Sequence, residues 1–263
     1  MVGLKTHAKV ALVVRREGDG IRRYVHVGTG NYNPKTAQIY EDVGLLSADP
    51  DLGSDVAELF NFLTGYSRQR RFRRLLVAPV GLRSNIIRLI RKEAARPGGG
   101  RIILKVNSLV DPEIVEALYT ASQAGTEIDL IVRGLCSLRP GVPGLSDRIR
   151  VRSLVGRFLE HSRIFRFGPE GAALEYYLGS SDLMPRNLDR RVEAMVPVID
   201  RALQARMGQI LEVELEDDVL AWALQPVGSW SKVPTVNGVN AQQAFEQLAE
   251  ARAAATNGST TDA

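Results

Sequence analysis

The sequence predicts an α/β protein in which two related units share one site, and three observations support this prediction. A histidine motif occurs twice, with the copies about 150 residues apart. Between residues 101 and 133, strand-like, helix-like and strand-like segments follow one another, as in layered α/β folds. Hydrophobic residues make up 44% of the 263 residues and charged residues 24%, which is typical of globular domains that bury their own cores.

Each copy of the motif places a histidine two residues before a cation and continues through two strand-like segments to a turn that contains glycine. The interval from histidine to glycine is 21 residues in the first copy and 18 in the second, and an acid follows that glycine after 14 residues in both. The first copy consists of His7, Lys9, Gly28 and Asp42, and the second of His161, Arg163, Gly179 and Glu193.

This combination of side chains fits phosphate chemistry. A neutral imidazole is a nucleophile near pH 7, a cation stabilises charge on phosphoryl oxygens, and a carboxylate on the second ring nitrogen fixes the tautomer. The period of a strand places each histidine and its cation on one side. Two of the three histidines lie in the repeat, which favours a site over two ordinary strand histidines, whereas His26 alternates with Val25 and Val27 and is interpreted as structural. We therefore expect two half-sites that face each other over one phosphate.

The first unit is predicted to contain a hairpin and a helix. Alternating apolar residues indicate strands at 10–14 and 23–27, and the turn between them falls at 17–20. Residues 54–70 carry an apolar stripe at helical spacing, and Ser54 is the expected N-cap.

The second unit is predicted to contain three helices and several strands. Helices are expected at 82–95, from Asp111 to about 123, and at 201–211, with glycine, proline or aspartate at several of their ends. The expected strands are 101–107, 127–133, 149–155, 164–167, 174–178 and 192–198.

These elements divide the chain into two domains and a tail. The first domain comprises residues 1–78, the second residues 79–237, and residues 238–263 are expected to be disordered because they are rich in Ala, Gln and Thr. The motif begins at residue 7 with almost nothing before it, so we expect a first domain that lacks its upstream parts.

Composition excludes several classes of protein. No apolar run approaches 18 residues, so no membrane span is expected, and no signal-peptide pattern is present. Cys136 stands alone, which excludes an internal disulfide and a cysteine-rich zinc site and favours a reducing cytoplasm. A net charge of +4 permits anionic partners without identifying one, and nucleic acid is not expected among them.

Four segments resemble bacterial polyphosphate kinase, and the likeness extends over nearly the whole chain to about residue 235. It covers only the C-terminal part of that family. The segments are LKTHAK at 4–9, HVGTGNYN at 26–33, RGLCSLRPG at 133–141 and FLEHSR at 158–163. The resemblance implies two phospholipase-D-like α/β domains, each a mixed sheet flanked by helices, which meet at a shared active site. It also implies reversible transfer of the ATP γ-phosphate to the end of inorganic polyphosphate.

The resemblance also assigns roles to residues. His7 corresponds to the histidine that becomes phosphorylated, and the positions that bind ATP correspond to Tyr40, Arg133 and His161. The arginines of the family's metal site lie upstream and have no counterpart, so no metal ligand is expected in this chain, and Mg²⁺ is expected to arrive with ATP. The partners implied are ATP or ADP, polyphosphate, and either a second copy of the chain or the missing upstream domains.

The proposed chemistry gives the remaining residues their parts. Lys9 and Arg163 are expected to hold phosphoryl oxygens, Tyr40 to stack on the base, and His7 and His161 to act as the catalytic pair. Asp42 and Glu193 are expected to orient the histidines, and which acid serves which histidine is left open by the sequence.

Two alternatives remain open at this stage. One is a phospholipase-D-like phosphodiesterase or nuclease, against which the sequence counts Val14 and Gly168 where that pattern has Asp, and Arg163 where it has Lys. The other is an inactive fragment that binds polyphosphate. A cluster of arginines would suit a groove for an anionic polymer or, equally, a solvated helix end. The cluster consists of Arg68, Arg70, Arg71, Arg73 and Arg74.

Overall fold

A mixed β-sheet flanked by helices organises the protein, as the sequence predicts. The computed structural model describes residues 4–18, 20–66 and 71–258. The strands are β1 Lys5–Thr6, β2 Lys9–Glu17, β3 Gly20–Gly28, β4 Tyr40–Glu41, β5 Gly44–Ser47, β6 Leu76–Ala78, β7 Arg101–Val106, β8 Glu127–Val132, β9 Ile149–Leu154, β10 Leu159–Glu160, β11 Ile164–Phe167, β12 Glu175–Gly179, β13 Arg191–Val198, β14 Ala221–Leu224 and β15 Trp230–Lys232. The helices are α1 Pro34–Ala37, α2 Pro50–Thr64, α3 Leu82–Ala94, α4 Pro112–Gln123, α5 Pro185–Arg190, α6 Arg201–Glu216 and α7 Ala241–Gly258.

The large sheet connects both motif copies. Within the described residues it has ten strands, in the order β1-β13-β12-β11-β7-β8-β9-β14-β15, and β6 also pairs with β13. Strands β7, β8 and β9 run parallel, β11 and β12 are antiparallel to their neighbours, and β13 is antiparallel to β12 and β6 but parallel to β1. Strands β1 and β6 lie within residues 1–78, the first segment, and join it to the sheet formed by the second segment, residues 79–237.

Two smaller sheets complete the first segment. Strands β2, β3 and β5 form an antiparallel sheet, in which Glu17 pairs with Gly20, so the predicted hairpin is confirmed with longer strands and a shorter turn than expected. Strands β4 and β10 pair in parallel, with Tyr40 opposite Leu159 and Glu41 opposite Glu160. This short ladder places the residues after β4 beside the residues after β10.

Both faces of the large sheet are buried, because successive strand residues point to opposite sides. On β7, Ile102 and Leu104 face α3 and α4, whereas Ile103 faces α2 and α6. The second core also contains Val25 and Val56 from the first segment, so the two segments share buried apolar surface. Such burial contributes about 25 cal/mol for each Å² removed from water.

Helices α3 and α4 of the second segment are confirmed at their ends, whereas α6 begins as predicted at Arg201 but continues to Glu216, beyond the predicted end at 211. Helix α3 spans Leu82–Ala94 and presents its apolar face to the core. Helix α4 begins after Asp111, whose carboxylate accepts from the backbone N–H of Ile114, and Gly125 follows its end with a φ of 96°. Here local capping residues and apolar spacing agree with the tertiary fold.

Helix α2 differs from the prediction at both ends. It begins at Pro50 with Asp49 as N-cap, because the Asp49 carboxylate accepts from Leu52 N at 2.8 Å and proline is favoured in the first turn. Ser54 therefore lies inside the helix. The helix ends at Thr64, where Gly65 adopts a φ of 84°, and residues 67–70 of the predicted helix lie outside the described residues.

The arginine cluster does not form the end of that helix, so the solvated-helix-end interpretation is wrong for its described members. Arg71, Arg73 and Arg74 follow α2, and the buried carboxylate of Asp55 accepts from the backbone N–H groups of Arg73, Arg74 and Leu75. Arg68 and Arg70 lie outside the described residues.

The prediction of a disordered tail is wrong for residues 241–258, which form helix α7. Two of its first residues anchor it, since Ala241 and Gln242 are buried. The Ala- and Gln-rich composition that suggested disorder also has high helix propensity, and tertiary anchoring decides between the two. In the part of the chain that the structure describes, every helix is too short or too polar to cross a bilayer.

Candidate active site

The first histidine is fixed by the edge of the large sheet. His7 follows β1, and the backbone N–H groups of His7 and Ala8 both donate to the carbonyl of Val192 at 2.9 Å. This contact places the His7 ring beside the next residue of β13, Glu193, whose carboxylate lies 2.9 Å from His7 Nδ1. The pairing of strands β1 and β13 thus places the first imidazole beside an acid that is 186 residues away in the sequence.

Glu193 is held in place by its own neighbours. Its side chain is fully buried. Ser180 Oγ donates to one carboxylate oxygen, Asn187 Nδ2 donates to the other at 2.7 Å, and Ala194 N donates to Ser180 Oγ at 3.2 Å. A carboxylate with these donors is an acceptor for the Nδ1–H group of His7, and in the neutral ring that tautomer has its lone pair on Nε2.

Lys9 lies against the same ring. Its Nζ is 2.9 Å from Nε2 and 3.2 Å from Nδ1 of His7. Burial lowers the pKa of Lys9 to about 8, although Glu193 and Asp42 raise it, and the charge of Arg163 lowers it further. The charge of Lys9 therefore interacts with charged side chains from both motif copies.

The second histidine has a corresponding arrangement. His161 N donates to Glu41 O at 3.2 Å, an extension of the β4–β10 ladder, and His161 Nδ1 lies 2.7 Å from Asp42 Oδ1. Thr29 Oγ1 donates to the same carboxylate oxygen at 2.7 Å and accepts from Val43 N at 2.9 Å. Asp42 thus has a hydroxyl partner from the first turn, as Glu193 has Ser180 from the second.

The two copies are interlocked through their acids. The acid of the second copy, Glu193, binds the histidine of the first, and the acid of the first copy, Asp42, binds His161 of the second. The structure answers the question that the sequence leaves open: each acid serves the histidine of the other copy. Neither copy contains a complete half-site of its own.

The protonation state of His161 follows from its surroundings. Burial lowers its pKa, the hydrogen bond to Asp42 opposes that effect, and the charges of Arg163 and Lys9 lower the pKa further. The imidazole is therefore neutral at pH 7, with Nδ1–H directed to Asp42 and Nε2 free to accept a proton.

The two cations are not equivalent. Arg163 is 2% exposed, its Nε and Nη2 each lie 3.2 Å from the Asp182 carboxylate, and its Nη1 donates to His161 O. Its charge is therefore balanced inside the protein, and it braces the loop after Gly179. Within the described residues Lys9 Nζ contacts the His7 ring and has no such bidentate carboxylate partner, so it is the better placed of the two to meet a phosphate.

The remaining two predicted residues border the second half-site. The Tyr40 ring lies 4.6 Å from the His161 ring, centroid to centroid, at an interplanar angle of 42°. Arg133 follows β8, and burial together with the charge of Arg163 lowers the pKa of its guanidinium, while Tyr40 and Glu160 are among the groups that raise it. The structure thus brings all the predicted site residues into two adjoining half-sites.

Several residues of the site were not assigned a role from the sequence. Thr29 and Ser180 belong to the repeated turns, and their equivalent positions were a signal that they could bind equivalent acids. Asp182 and Asn187 gave no local signal, because their partners, Arg163 and Glu193, are reached only through the fold.

One group of carboxyl side chains has the spacing of metal ligands. Among the residues described, a single carboxyl trio, formed by Glu41, Glu160 and Glu214, is close enough to hold one ion. The ammonium of Lys105 contacts all three carboxylates, so this trio already surrounds an internal cation and does not fit a hydrated Mg²⁺.

Comparisons with known proteins agree with this architecture. Residues 1–69 match the family described as polyphosphate kinase C-terminal domain 1, and residues 75–244 match polyphosphate kinase C-terminal domain 2. The chain belongs to the polyphosphate kinase family. The resemblance noted from the motifs is therefore confirmed.

Individual relatives of the family span more than this chain. The polyphosphate kinase of Thermosynechococcus vestitus is 59% identical over 231 residues, which are 87% of this chain and 31% of that protein. The polyphosphate kinase of Streptomyces coelicolor is 54% identical over 256 residues, which are 96% of this chain and 34% of that protein. The chain thus spans about a third of the length of these relatives.

Solved structures support the fold. The polyphosphate kinase of Porphyromonas gingivalis superposes with a TM-score of 0.89 at 39% identity, over 96% of this chain and 40% of that one. A phosphatidylserine synthase from Haemophilus influenzae superposes with a TM-score of 0.54 at 10% identity, over 88% of this chain and 68% of that one, which is a likeness of fold alone. The phospholipase-D-like α/β fold is therefore confirmed.

Proposed function

We propose that this chain carries the phosphoryl-transfer site of a polyphosphate kinase, which moves the γ-phosphate of ATP reversibly to the end of inorganic polyphosphate through a phosphohistidine at His7. The observation that supports this most is the crosswise pairing of His7 with Glu193 and of His161 with Asp42. Two oriented imidazoles with adjacent cations form a site suited to phosphate.

The first step is attack by Nε2 of His7 on the γ-phosphorus of ATP. The Nε2–P bond forms with the lone pair of the imidazole, and the bond between the γ-phosphorus and the bridging oxygen breaks, so ADP leaves with that electron pair. Glu193 stabilises the imidazolium that results, through the Nδ1–H group that it accepts. Lys9, now in contact with Nε2, must shift from the ring to the phosphoryl oxygens.

The second step returns the phosphoryl group to an oxygen. A terminal oxygen of polyphosphate forms a bond to phosphorus while the Nε2–P bond breaks, and His7 regains its lone pair. Because an N–P bond of this kind is energy-rich, the same site runs in both directions. When anionic phosphate lies beside Nε2 of His161, the ring takes a proton from solvent water, and the Nε2–H group then donates a hydrogen bond to the leaving or entering oxygen.

The nucleotide is assigned to the side of the second half-site. Tyr40 offers a ring face beside His161, and Arg133 offers a half-buried guanidinium at the end of β8. We assign the base to Tyr40 and the nucleotide phosphates to Arg133. Arg163 acts through His161 and Asp182 rather than as a direct phosphate ligand. Mg²⁺ is assigned to the triphosphate of the substrate, since the described residues present no carboxylate set open to it.

The wider setting of the enzyme follows the same proposal. Its partners are ATP or ADP and polyphosphate, its compartment is the cytoplasm, and assembly either with a second copy or with further domains of the family completes the enzyme.

The test is labelling with γ-³²P-ATP. We expect acid-labile, base-stable label on the protein and on its His26→Ala variant, because the His26 ring lies on β3 beside the Tyr32 hydroxyl and outside the proposed machinery. The His7→Ala variant should carry no label. Label that persists on His7→Ala would contradict the assignment, and binding of polyphosphate with no ADP formed would favour the inactive alternative.

A further inference from the structure

A buried ion cluster lies directly behind the second half-site. Lys105 on β7 is 1% exposed, and its Nζ lies 2.7 Å from Glu160 Oε2 and 3.0 Å from Glu41 Oε2 and also contacts Glu214 Oε1. The four residues come from β7, β10, β4 and α6. We call this set, Lys105, Glu41, Glu160 and Glu214, the Lys105 cluster.

Such a cluster is unfavourable unless its geometry is well satisfied, because charged groups lose their hydration when they are buried. Burial would lower the pKa of Lys105, but the three acids raise it well above its ordinary value. Burial raises the pKa of Glu214 well above its ordinary value, whereas Lys105 and Ser162 hold the pKa of Glu41 below its ordinary value. The cluster therefore consists of one ammonium surrounded by three carboxyl groups.

Two members of the Lys105 cluster are the immediate neighbours of the second half-site. Glu41 precedes Asp42, and Glu160 precedes His161, and the two glutamates lie opposite each other in the β4–β10 ladder. Ser162 Oγ also donates to Glu41 Oε2 at 2.7 Å. Since that ladder is two residues long, backbone hydrogen bonds alone give it little strength, and the common ammonium adds a tie between its strands.

Helix α7 extends the same network. Gln242 Nε2 donates to Glu160 Oε1 and to Phe158 O, both at 2.8 Å, and Phe158 N donates to Gln242 Oε1 at 3.0 Å. Each oxygen of Glu160 thus has a partner, one on β7 and one on α7. The strand that leads into His161 is fixed from both sides.

We propose that Lys105 is a positioning residue for the second histidine: its ammonium clamps β4 to β10 and so holds Asp42 within hydrogen-bond distance of His161. This inference deepens the proposed function and rests on it for the part that His161 plays in catalysis. The clamp itself is independent of substrate, because all of its contacts lie within the protein.

The test is observation of the histidine ring protons by NMR after ¹⁵N-histidine labelling. The chain has three histidines, so the spectrum is simple to assign. In the unaltered protein we expect protected Nδ1–H signals for His7 and His161. In Lys105→Met the His161 signal should disappear or exchange at least about tenfold faster, and the His7 signal, which depends on Glu193, should remain.

A second variant covers the case in which Lys105→Met fails to fold, because that change leaves buried carboxylates unpaired. Glu41→Ala removes the β4 end of the clamp and leaves Lys105 with Glu160 and Glu214. We expect the same selective loss at His161. Leu118→Ala on α4 is the control for general destabilisation, since this buried residue belongs to the core on the other face of the sheet.

The outcomes separate the two proposals. A folded Lys105→Met or Glu41→Ala protein that keeps the His161 signal at its original exchange rate would overturn the clamp. Equal loss of the His7 and His161 signals in these variants and in Leu118→Ala would also overturn it, because the effect would then be one of stability. A third outcome separates them: the variants lose only the His161 ring signal, and the unaltered protein takes no label from ATP. This result would support the clamp and contradict the proposed function.

Discussion

Glu193 binds the ring of His7 across 186 residues of sequence, with its carboxylate 2.9 Å from Nδ1. Asp42 binds His161 in the same way across 119 residues. Each contact joins one motif copy to the other, so the orientation of each imidazole depends on the packing of both segments.

The first prediction concerns Glu193. Glu193→Gln should slow the labelling of His7 by about 10² to 10⁴-fold, because an amide nitrogen facing Nδ1 reverses the tautomer and protonates the attacking Nε2. The initial rate of ³²P incorporation measures the effect. Glu175→Gln is the matched control, since Glu175 lies at the end of β12 opposite Gly179 and pairs with Lys92 of α3. An unchanged rate in Glu193→Gln would show that the carboxylate does not set the tautomer.

The second prediction concerns pH and Lys9. Burial lowers the pKa of this ammonium to about 8, so its positive charge is lost as the pH rises through that value. The labelling rate at low ATP should therefore fall above about pH 8. Lys9→Arg keeps its charge throughout this range, because the guanidinium pKa exceeds about 12. We expect the alkaline decline to vanish in that variant, whatever its absolute rate.

Rates measured from pH 6 to 10 on both proteins decide this point. A decline with the same midpoint in Lys9→Arg would assign the titration to another group.

The third prediction concerns the close approach of the first turn to Asp42. A Cβ atom at Gly30 would lie 2.5 Å from Asp42 Oδ2, so Gly30→Ala should push the carboxylate away from His161. A displacement of this size at an orienting group can reduce a rate by about 10²-fold. The rate of transfer to polyphosphate and the unfolding temperature should be measured together.

Gly20→Ala serves as its control, because a Cβ atom there meets nothing within 4 Å and the backbone needs no positive φ. We expect Gly20→Ala to match the unaltered protein in both measurements. Equal rates in the two variants would mean that the Asp42 position has no part in transfer.

The fourth prediction concerns stability. Ile90 on α3 is fully buried in the core against the large sheet. Ile90→Ala should lower the free energy of unfolding by about 2 to 5 kcal/mol, through lost burial and a residual cavity. Val236→Ala, at a residue that is 81% exposed, should change it by no more than about 0.5 kcal/mol. Urea titration followed by circular dichroism measures both.

Local sequence signals predicted the parts of the fold that local chemistry controls. Helices α3 and α4 and the β2–β3 hairpin were predicted because their apolar spacing and end residues agree with their final packing. The predicted start of α2 at Ser54 is wrong, because Asp49 as N-cap followed by Pro50 forms a stronger helix start than Ser54. The prediction of a disordered tail is wrong, because two buried residues at the start of α7 anchor this helix to the rest of the protein.

For the site, too, some features could be predicted from the sequence and others depend on the fold. The spacing of the two motif copies identified both histidines, both acids and both cations, because these residues repeat in sequence. The pairing of acids with histidines required the β1–β13 and β4–β10 ladders, which join strands far apart in the chain. The Lys105 cluster gave no sequence signal, because its four members come from four separate elements and have meaning only once β4 lies beside β10.

The exchange of acids between the motif copies suggests a simple use for the segment that links α2 to β6. A polypeptide cut there would separate His7 and Asp42 from Glu193 and His161, so each piece would hold an imidazole without its carboxylate. Mixed together, the pieces would rebuild both pairs at once, as in split-reporter proteins. Recovered labelling would then count reassembly events directly.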